Sequence, residues 1–491
     1  MRSFKTGVAL ALVCMLAVGG CGGSKAGQPV GRASLSEGPD ASAEATFGEE
    51  SLTSSPTVGL SGTATRAGGT ATKGPVMPPG LPTSQLAAGD CAKLARTASD
   101  RGVTKDTIKI AFFIPKSDTA VGVGVGLSDS SHKKAIKPYI DQINASGGIC
   151  GRKVEYVTYS FNGLDDSDKR SVCLKATQEA KVFATIDSLG FFGGGHACLM
   201  ENKTPYVTMT GYAEDYIKQN SPWMWSMRIN RTRMIRNFSR FIKARGIANP
   251  STKIGLLSDD SEGNRKEAAL LKKRLTEEGL KVAAEFVASA DFTTGPTQMS
   301  DAALQFKIAN VGLVLPLISF IHLTSFMNNA KAQAYKPAYA VTFDLTLDFT
   351  TSTYPEDQFD GTQGMTDTIT GQDKAKIPPI WGQQYCIDIY NKRVGDNDAT
   401  ALALGLVYCQ AIELFGEALK RAGANPTRQG WTEAMGTIDS FDRVAVTGPL
   451  SFSSTKHDGG AYLASVQWHA QWEGKSCKCF VMTDRPKPAE F

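Results

Sequence analysis

Hydroxyl, carboxylate and aromatic side chains recur in five short segments, each directly after an apolar run that reads as a β-strand. The five segments are 116–128, 188–195, 211–215, 259–263 and 344–347. They combine serine, threonine, aspartate and glycine with the aromatic residues Phe191, Phe192 and Tyr212. Such a mixture suits a small ligand with both polar and apolar parts. Ligands of open parallel sheets bind beyond the carboxyl ends of the strands, so we expect all five segments to face one cleft.

Enzyme chemistry is not indicated. The histidines form no HExxH motif, and the chain contains no GxSxG nucleophile elbow. His469 together with Cys477 and Cys479 has the composition of a metal site, but a closing strand and a disulfide explain these residues more simply. We therefore predict no catalytic residue, no metal and no cofactor.

Two further motifs have structural explanations. The glycines at 122–126 lack the third glycine of the dinucleotide fingerprint GxGxxG, which favours a mobile loop at the cleft edge. The acidic run at 259–262 follows a predicted strand and precedes a helix, where it would cap the helix and complement its dipole. The formal net charge of +5 is small and spread along the chain, so nucleic-acid binding is not indicated.

Strand and helix patterns alternate, which predicts an α/β fold with parallel sheets covered by helices. The predicted strands are 107–115, 154–161, 182–189 and 205–210, and then 253–258, 282–287, 311–318 and 338–343. Two helices show an apolar stripe, one at Ile136, Tyr139, Ile140 and Ile143 and one at Ala268, Leu271 and Leu275. Pro138 obscures where the first helix begins. Two successive units of similar size predict two lobes with a cleft between them.

The first 21 residues have the pattern of an export signal. Arg2 and Lys5 precede an apolar run over 8–18, and two glycines then lead to Cys21. The run is too short to span a bilayer as a helix. Its Val-Gly-Gly-Cys ending resembles a lipobox, which predicts that Cys21 is lipidated and anchors the protein on the extracytoplasmic face of the membrane. An ordinary secretory signal with an incidental cysteine is the alternative.

Residues 22–90 predict a disordered stalk. They are mostly Gly, Ser, Thr, Ala and Pro, and cannot bury enough apolar surface to offset the entropy of ordering. Roughly 70 such residues have a root-mean-square reach of about 45–50 Å. No later run approaches the ~20 apolar residues of a transmembrane helix. The sequence thus predicts an anchored protein that does not span the membrane.

Eight cysteines remain once Cys14 and Cys21 are set aside, and an even set in an oxidising compartment indicates disulfides. A bridge between Cys173 and Cys198 would stabilise the fold by about 3.5 kcal/mol. The remaining pairings that we expect, with the connectivity left open by the sequence, are Cys91–Cys150, Cys386–Cys409 and Cys477–Cys479.

Three motifs occur in a characteristic order. INASGGICGRK at 143–153 resembles the turn "INxxGGIxGxK", and GPLSF at 448–452 followed by VQWHA at 466–470 resembles a closing hairpin. By these motifs, residues 104–475 resemble the leucine-binding type of ABC-transporter solute-binding proteins. The resemblance implies a type I periplasmic-binding fold, in which the chain crosses three times between two lobes. It would place 104–229 and 362–446 in lobe one, and 230–361 and 447–480 in lobe two.

The resemblance also implies ligand contacts. Ser188 and Thr210 stand where the family has hydroxyl residues that bind a ligand carboxylate, and Tyr212 replaces a small hydroxyl residue. Asp344 stands where an acidic residue takes the ligand's ammonium. A loop or capping role is the alternative for Ser188 and Asp344. Residues 317–319 lack an aromatic that leucine binders often carry there.

The function implied is capture of an amino acid or related amphipathic solute between the lobes. Delivery would be to a membrane-embedded ABC permease with a cytoplasmic ATPase, and we expect a monomer. A ligand-sensing ectodomain that acts without transport is the alternative from another class, and an extracytoplasmic hydrolase is a third. The sequence does not identify the ligand.

Overall fold

The computed structural model describes residues 88–116, 128–163, 165–187, 191, 193–346, 353–368, 383–395, 399–443 and 447–489. They belong to one compact unit, Pro79–Phe491. The predicted signal peptide, Cys21, Ser188 and Phe192 lie outside the described residues, as does the predicted stalk up to residue 87. Helix α1 (Ala88–Lys93) opens the described part.

A first sheet has five parallel strands in the order β2–β1–β3–β4–β5. Its strands are β1 (Thr107–Pro115), β2 (Lys153–Phe161), β3 (Ala184–Asp187), β4 (Tyr206–Thr208) and β5 (Met224–Ser226). The central strands are almost wholly buried, as expected for a parallel sheet covered on both faces.

A second sheet has the order β12–β11–β10–β9–β8–β6–β7, with β13 paired to β11. Its strands are β6 (Ile254–Asp259), β7 (Val282–Ala288), β8 (Leu313–Leu317), β9 (Ala338–Val341), β10 (Gln363–Thr366), β11 (Tyr462–Trp472), β12 (Lys475–Met482) and β13 (Lys487–Pro488). The strands from β7 to β10 run parallel, whereas β11 pairs antiparallel with β10, β12 and β13.

Helices connect the strands. In chain order they are α2 (Asp129–Ala145), α3 (Asp166–Leu174), α4 (Gly194–Glu201), α5 (Glu214–Gln219), α6 (Arg231–Ala244), α7 (Glu262–Glu277), α8 (Thr294–Thr297), α9 (Met299–Ile308), α10 (Phe320–Ala332), α11 (Glu356–Phe359), α12 (Gln383–Arg393), α13 (Ala399–Ala422) and α14 (Arg428–Met435). A π-helical turn, Lys175–Glu179, extends α3, and a 3₁₀ turn, Phe343–Thr346, follows β9.

The late helices return to the first sheet. One buried cluster contains side chains of β1 and of α13, and the rings of Phe112 and Tyr408 meet edge to face at 5.6 Å. Two other clusters lie around the strands of the second sheet. The chain therefore leaves the first sheet after β5, comes back after β10, and leaves again before β11. The predicted lobe boundaries are consistent with this path and stay predictions.

All eight predicted strands form, most with ends shifted by one or two residues. The predicted helix stripes are also confirmed, since Ile136, Tyr139 and Ile140 are buried in α2, and Ala268, Leu271 and Leu275 in α7. Pro138 lies inside α2, whose start is set instead by Ser128, because the Ser128 side chain accepts a hydrogen bond from the Ser131 N–H.

The closing hairpin forms from β11 and β12. The prediction that 448–452 belongs to it was wrong, because this segment makes only an isolated bridge between Phe441 and Leu450. Pro449 lacks a donor for a sheet ladder. Gly448 packs directly against the ring of Tyr462.

Each of the expected cysteine pairs is joined. The Cα atoms are 5.0 Å apart in Cys91–Cys150, 6.2 Å in Cys173–Cys198, 5.9 Å in Cys386–Cys409 and 5.1 Å in Cys477–Cys479. These values lie in the usual disulfide range of about 4.4–6.8 Å. Among the described residues, none of the helices has the length and apolar character needed to cross a bilayer.

Candidate functional site

The loop after β4 contains two of the predicted site residues, Thr210 and Tyr212. Backbone contacts hold it on both sides. The Thr210 N–H donates to the Thr208 hydroxyl at 3.0 Å, and the Thr210 carbonyl accepts from the Ser226 hydroxyl at 2.9 Å. The Tyr212 carbonyl accepts from the Arg231 N–H at 2.9 Å. This loop is therefore fixed in place before any ligand arrives.

Tyr212 belongs to an aromatic cluster formed by His196, Tyr206, Tyr212 and Tyr216. The His196 ring lies 4.9, 5.3 and 5.7 Å from the three tyrosine rings, and its Nδ1 is 2.7 Å from the Tyr216 hydroxyl. Burial lowers the pKa of His196 to about 3, and burial together with the Asp187 carboxyl raises the pKa of Tyr212 well above its ordinary value. The cluster is therefore uncharged at neutral pH. Tyr212 is half-buried, so only part of it is available to a ligand.

Phe191 is a core residue. It is fully buried and stacks on Phe113 at 4.0 Å. It therefore gives no information on the ligand, in contrast to the apolar ligand contact that its position after a strand suggested.

Asp187 is a functional candidate that the sequence analysis missed. It is the last residue of β3, fully buried, and one of its carboxyl oxygens accepts the Phe191 N–H at 3.1 Å. Its other oxygen has no hydrogen-bonding partner among the described residues. Burial raises the pKa of Asp187 from 3.8 to about 6. The sequence did offer a signal for Asp187, since a carboxyl group stands at the end of an otherwise apolar strand. Burial of such a group costs free energy, so a buried carboxyl often has a functional role.

Replacing Asp187 with asparagine is expected to stabilise the protein at pH 7.5 by about 3 kcal/mol. The pKa of Asp187 is about 6 in the folded protein and 3.8 in the unfolded chain, so the unfolded chain loses this proton first as the pH rises. The free energy of unfolding of the wild type therefore falls between pH 3.8 and about 6. The gain should therefore shrink to about 1 kcal/mol at pH 4.5. Urea unfolding at both pH values measures it. A gain of the same size at both would mean that the carboxyl does not ionise in this interval.

Phe320 is an aromatic residue at the carboxyl end of the second sheet. It is the first residue of α10, directly after the loop that follows β8. It is half-buried, and it packs against the cluster around the first sheet as well as one around the second. The resemblance drew attention to residues 317–319, one position too early, so the sequence analysis missed it. Ser319 instead caps α10, and its hydroxyl lies 2.6 Å from His322 Nδ1.

Asp344 lies in the 3₁₀ turn directly after β9, at the carboxyl end of the second sheet. Its side chain lies outside the described part of the structure, so its role as a ligand contact stays a prediction. Of the predicted segment 116–128, only Lys116 and Ser128 are described.

The acidic run at 259–262 caps α7, which confirms the structural explanation. The Ser261 side chain accepts the Asn264 N–H, and the Asp259 carboxylate accepts the Ser261 N–H at 3.0 Å and the Asn264 amide at 2.7 Å. In the described ranges, no three His, Cys, Asp or Glu residues are arranged to hold a metal.

An ion pair connects the elements that follow β4 and β6. Lys266 on α7 lies 2.8 Å from Asp215 on α5, and it holds the pKa of the Asp215 carboxyl below its ordinary value. Both side chains are about half exposed, so the pair contributes little to stability. The pair is informative about geometry, because it shows that the helix after β4 of the first sheet lies next to the helix after β6 of the second sheet.

Two buried ion pairs join the three segments that pass between the sheets. Arg228 Nε lies 2.7 and 2.8 Å from the two carboxylate oxygens of Asp367, and both residues are at most 4% exposed. Arg233 pairs with Asp458, whose carboxylate also accepts the Asn230 N–H at 3.0 Å. The crossing segments thus form one polar, hydrogen-bonded bundle, and the Ser226 hydroxyl links it to the loop after β4.

A groove of about 640 Å³ lies elsewhere, along β2 and the start of α2. It is lined by Lys133, Lys134, Lys137, Tyr156, Val157, Thr158 and Tyr159. Since β2 and β5 are the opposite edges of the first sheet, this groove lies on the far side of the sheet from the crossing segments.

Comparison with known proteins agrees with this architecture. A family model described as periplasmic binding protein matches residues 107–474. No curated protein sequence matches the chain significantly.

Among solved structures, a fatty acid ABC transporter substrate-binding protein from Thermomonospora curvata superimposes with a TM-score of 0.61 at 16% identity. The match covers 80% of this chain and 95% of that one. A solute-binding protein from Rhodopseudomonas palustris in complex with 3,4-dihydroxybenzoic acid has a TM-score of 0.60 at 16% identity, over 78% and 98%. A branched-chain amino acid ABC transporter protein from Thermus thermophilus with bound valine has a TM-score of 0.59 at 14% identity, over 78% and 97%. At these identities the likeness establishes the fold.

Proposed function

Since the chain belongs to the periplasmic binding protein family and has its type I fold, we propose that it captures a small solute between two lobes and delivers it to an ABC permease. Capture would proceed by closure of the lobes about the three crossing segments. Closure is favoured by a solute only if the solute contacts both lobes, because it must bind the closed form more tightly than the open form.

The observation that carries this proposal is the position of Phe320. It is a half-buried aromatic side chain at the carboxyl end of the second sheet, and it also contacts the apolar cluster of the first. A solute held there would pack on the Phe320 ring and form hydrogen bonds with the loop after β4 that contains Thr210. This combination suits an amphipathic solute with a carboxylate, as in an amino acid or an aromatic acid.

The proposal is tested by mass spectrometry of solutes that co-purify with the protein, followed by a thermal-shift screen with valine, 3,4-dihydroxybenzoate and a fatty acid. A solute at 100 times its dissociation constant should add about 2.7 kcal/mol of stability. Phe320→Ala should remove most of this shift, whereas Leu304→Ala, at an exposed position on α9, should leave it unchanged. Absence of any bound or stabilising solute, or chemical turnover of a bound one, would count against a binding protein.

A sensing ectodomain that reports on the solute without transport is the second candidate. It would use the same cleft, so binding measurements do not separate the two. Adjacent permease and ATPase genes support import, whereas a lone sensor-kinase gene supports sensing.

The proposed location is the extracytoplasmic face of the membrane, with Cys21 carrying the lipid. Cys21→Ala is expected to release the protein from membranes while leaving its solute affinity unchanged, because the anchor lies roughly 70 residues from the first described element. Fractionation after removal of peripheral proteins, together with calorimetry on the same variant, measures both effects. Membrane retention of the variant would exclude Cys21 as the anchor.

A further inference from the structure

Cys477 and Cys479 occupy the same strand, β12, with one residue between them. In a regular strand the Cα atoms of residues i and i+2 are about 6.6 Å apart, whereas here they are 5.1 Å apart. Lys478 between them has a φ of 47°, a left-handed conformation that non-glycine residues rarely adopt. The pairing of β11 with β12 also shifts register between His469 and Gln471. The bridged cysteines thus coincide with a distorted backbone.

The other three bridges are of a different kind. They join separate elements across 59, 25 and 23 residues, and such bridges stabilise a fold by closing long loops in the unfolded chain. The Cys477–Cys479 bridge encloses only Lys478, so loop closure gives it little to contribute. The contribution of this bridge to the stability of the fold is therefore small. The left-handed conformation of Lys478 makes the bridged form less favourable still.

Accessibility allows exchange at this bridge. Cys477 is half-buried next to the exposed residues 473–476, while Cys479 is 4% exposed. Cys91–Cys150 has a matching arrangement, with Cys91 half-buried and Cys150 6% exposed. The two bridges therefore differ in ring size rather than in the burial of their cysteines, and Cys150, like Lys478, has a φ of 47°.

We propose that Cys477–Cys479 is a redox-exchange site that is opened by an extracytoplasmic dithiol, such as that of a thioredoxin-like protein. One thiolate of the dithiol attacks Cys477 Sγ, forms a mixed disulfide and expels Cys479 as a thiolate. The second thiol then displaces Cys477, so the dithiol becomes a disulfide and its two protons end on the two cysteines. Reduction frees Lys478 to become extended. Because β12 is an edge strand with β11 as its neighbour, its pairing can then become regular without disturbing the rest of the sheet.

The test titrates the full chain, purified without reductant, with dithiothreitol in the absence of denaturant. Alkylation followed by peptide mass spectrometry reports each bridge separately. Cys477–Cys479 should open at a dithiothreitol concentration about tenfold or more below that needed for Cys91–Cys150. The Lys478→Gly variant is the matched control, since glycine adopts a φ of 47° without strain; it should make the bridge about fivefold or more harder to reduce. Cys91–Cys150 should be unaffected by that change.

Three outcomes would overturn the proposal. The first is opening of Cys477–Cys479 at the same concentration as Cys91–Cys150. The second is a Lys478→Gly variant with unchanged reducibility and an unchanged far-ultraviolet spectrum. The third is alkylation of both cysteines without any reductant, which would mean that they do not pair in the native protein.

Discussion

Asp367→Ala is expected to lower the free energy of unfolding by about 3–5 kcal/mol, because it removes the buried carboxylate to which the Arg228 guanidinium is hydrogen-bonded. In the wild type both groups are nearly inaccessible to water, and the Asp367 carboxylate also accepts the Ile229 N–H at 3.0 Å. The loss should appear in urea unfolding at pH 7 as a lower midpoint with an unchanged slope.

Asp141→Ala is the matched control for this prediction. Asp141 pairs with Lys137 at 2.5 Å on the exposed face of α2, where the side chains are 40% and 65% exposed. An exposed pair of this kind contributes less than about 1 kcal/mol. If Asp367→Ala costs no more than Asp141→Ala, the buried pair does not hold the crossing segments together.

Asp344→Asn is expected to weaken binding of an amino acid such as valine by about 2–5 kcal/mol, because the ammonium of the solute is left without its counter-charge in a closed cleft. Asparagine keeps the shape and the hydrogen-bonding capacity of the side chain. Stability without solute should barely change, because we expect the Asp344 carboxylate to be hydrated when the cleft is open. Calorimetry and thermal unfolding of the same variant give both values.

An aromatic acid without an ammonium provides the control, since its affinity should not depend on the charge at 344. Two results would contradict the assignment. Unchanged valine affinity would make Asp344 a turn residue and remove the main acidic anchor of the amino-acid hypothesis. A large loss of stability without solute would mean that Asp344 pairs within the protein.

The strands that could be predicted are those whose own residues specify them. The run TIKIAFFIP forms β1 over the predicted residues, because a strand buried on both faces needs continuous apolar side chains. β5 and β10 were missed for the opposite reason. They have only three and four residues, too few to show an alternation of apolar and polar side chains, and β10 contains a glycine. Their conformation depends on neighbouring strands that are distant in sequence.

The part of the candidate site that could be predicted consists of residues that directly follow a strand in the sequence. The loop with Thr210 and the turn with Asp344 follow their strands as expected, because the carboxyl ends of parallel strands meet at one edge. Phe320 and Asp187 were missed, since their importance depends on what packs against them. The Arg228–Asp367 pair joins residues 139 apart in sequence, and no local pattern identifies such a partner.

The central claim is that a solute binds between the carboxyl ends of the two sheets. It is tested most directly by a crystal structure of the protein with the solute that co-purifies with it. We expect density in contact with Phe320 on one side and with the loop of Thr210 and Tyr212 on the other, with Asp344 directed at it. Density in the groove along β2, lined by Lys133 and Tyr159, with none between the sheets, would contradict the claim.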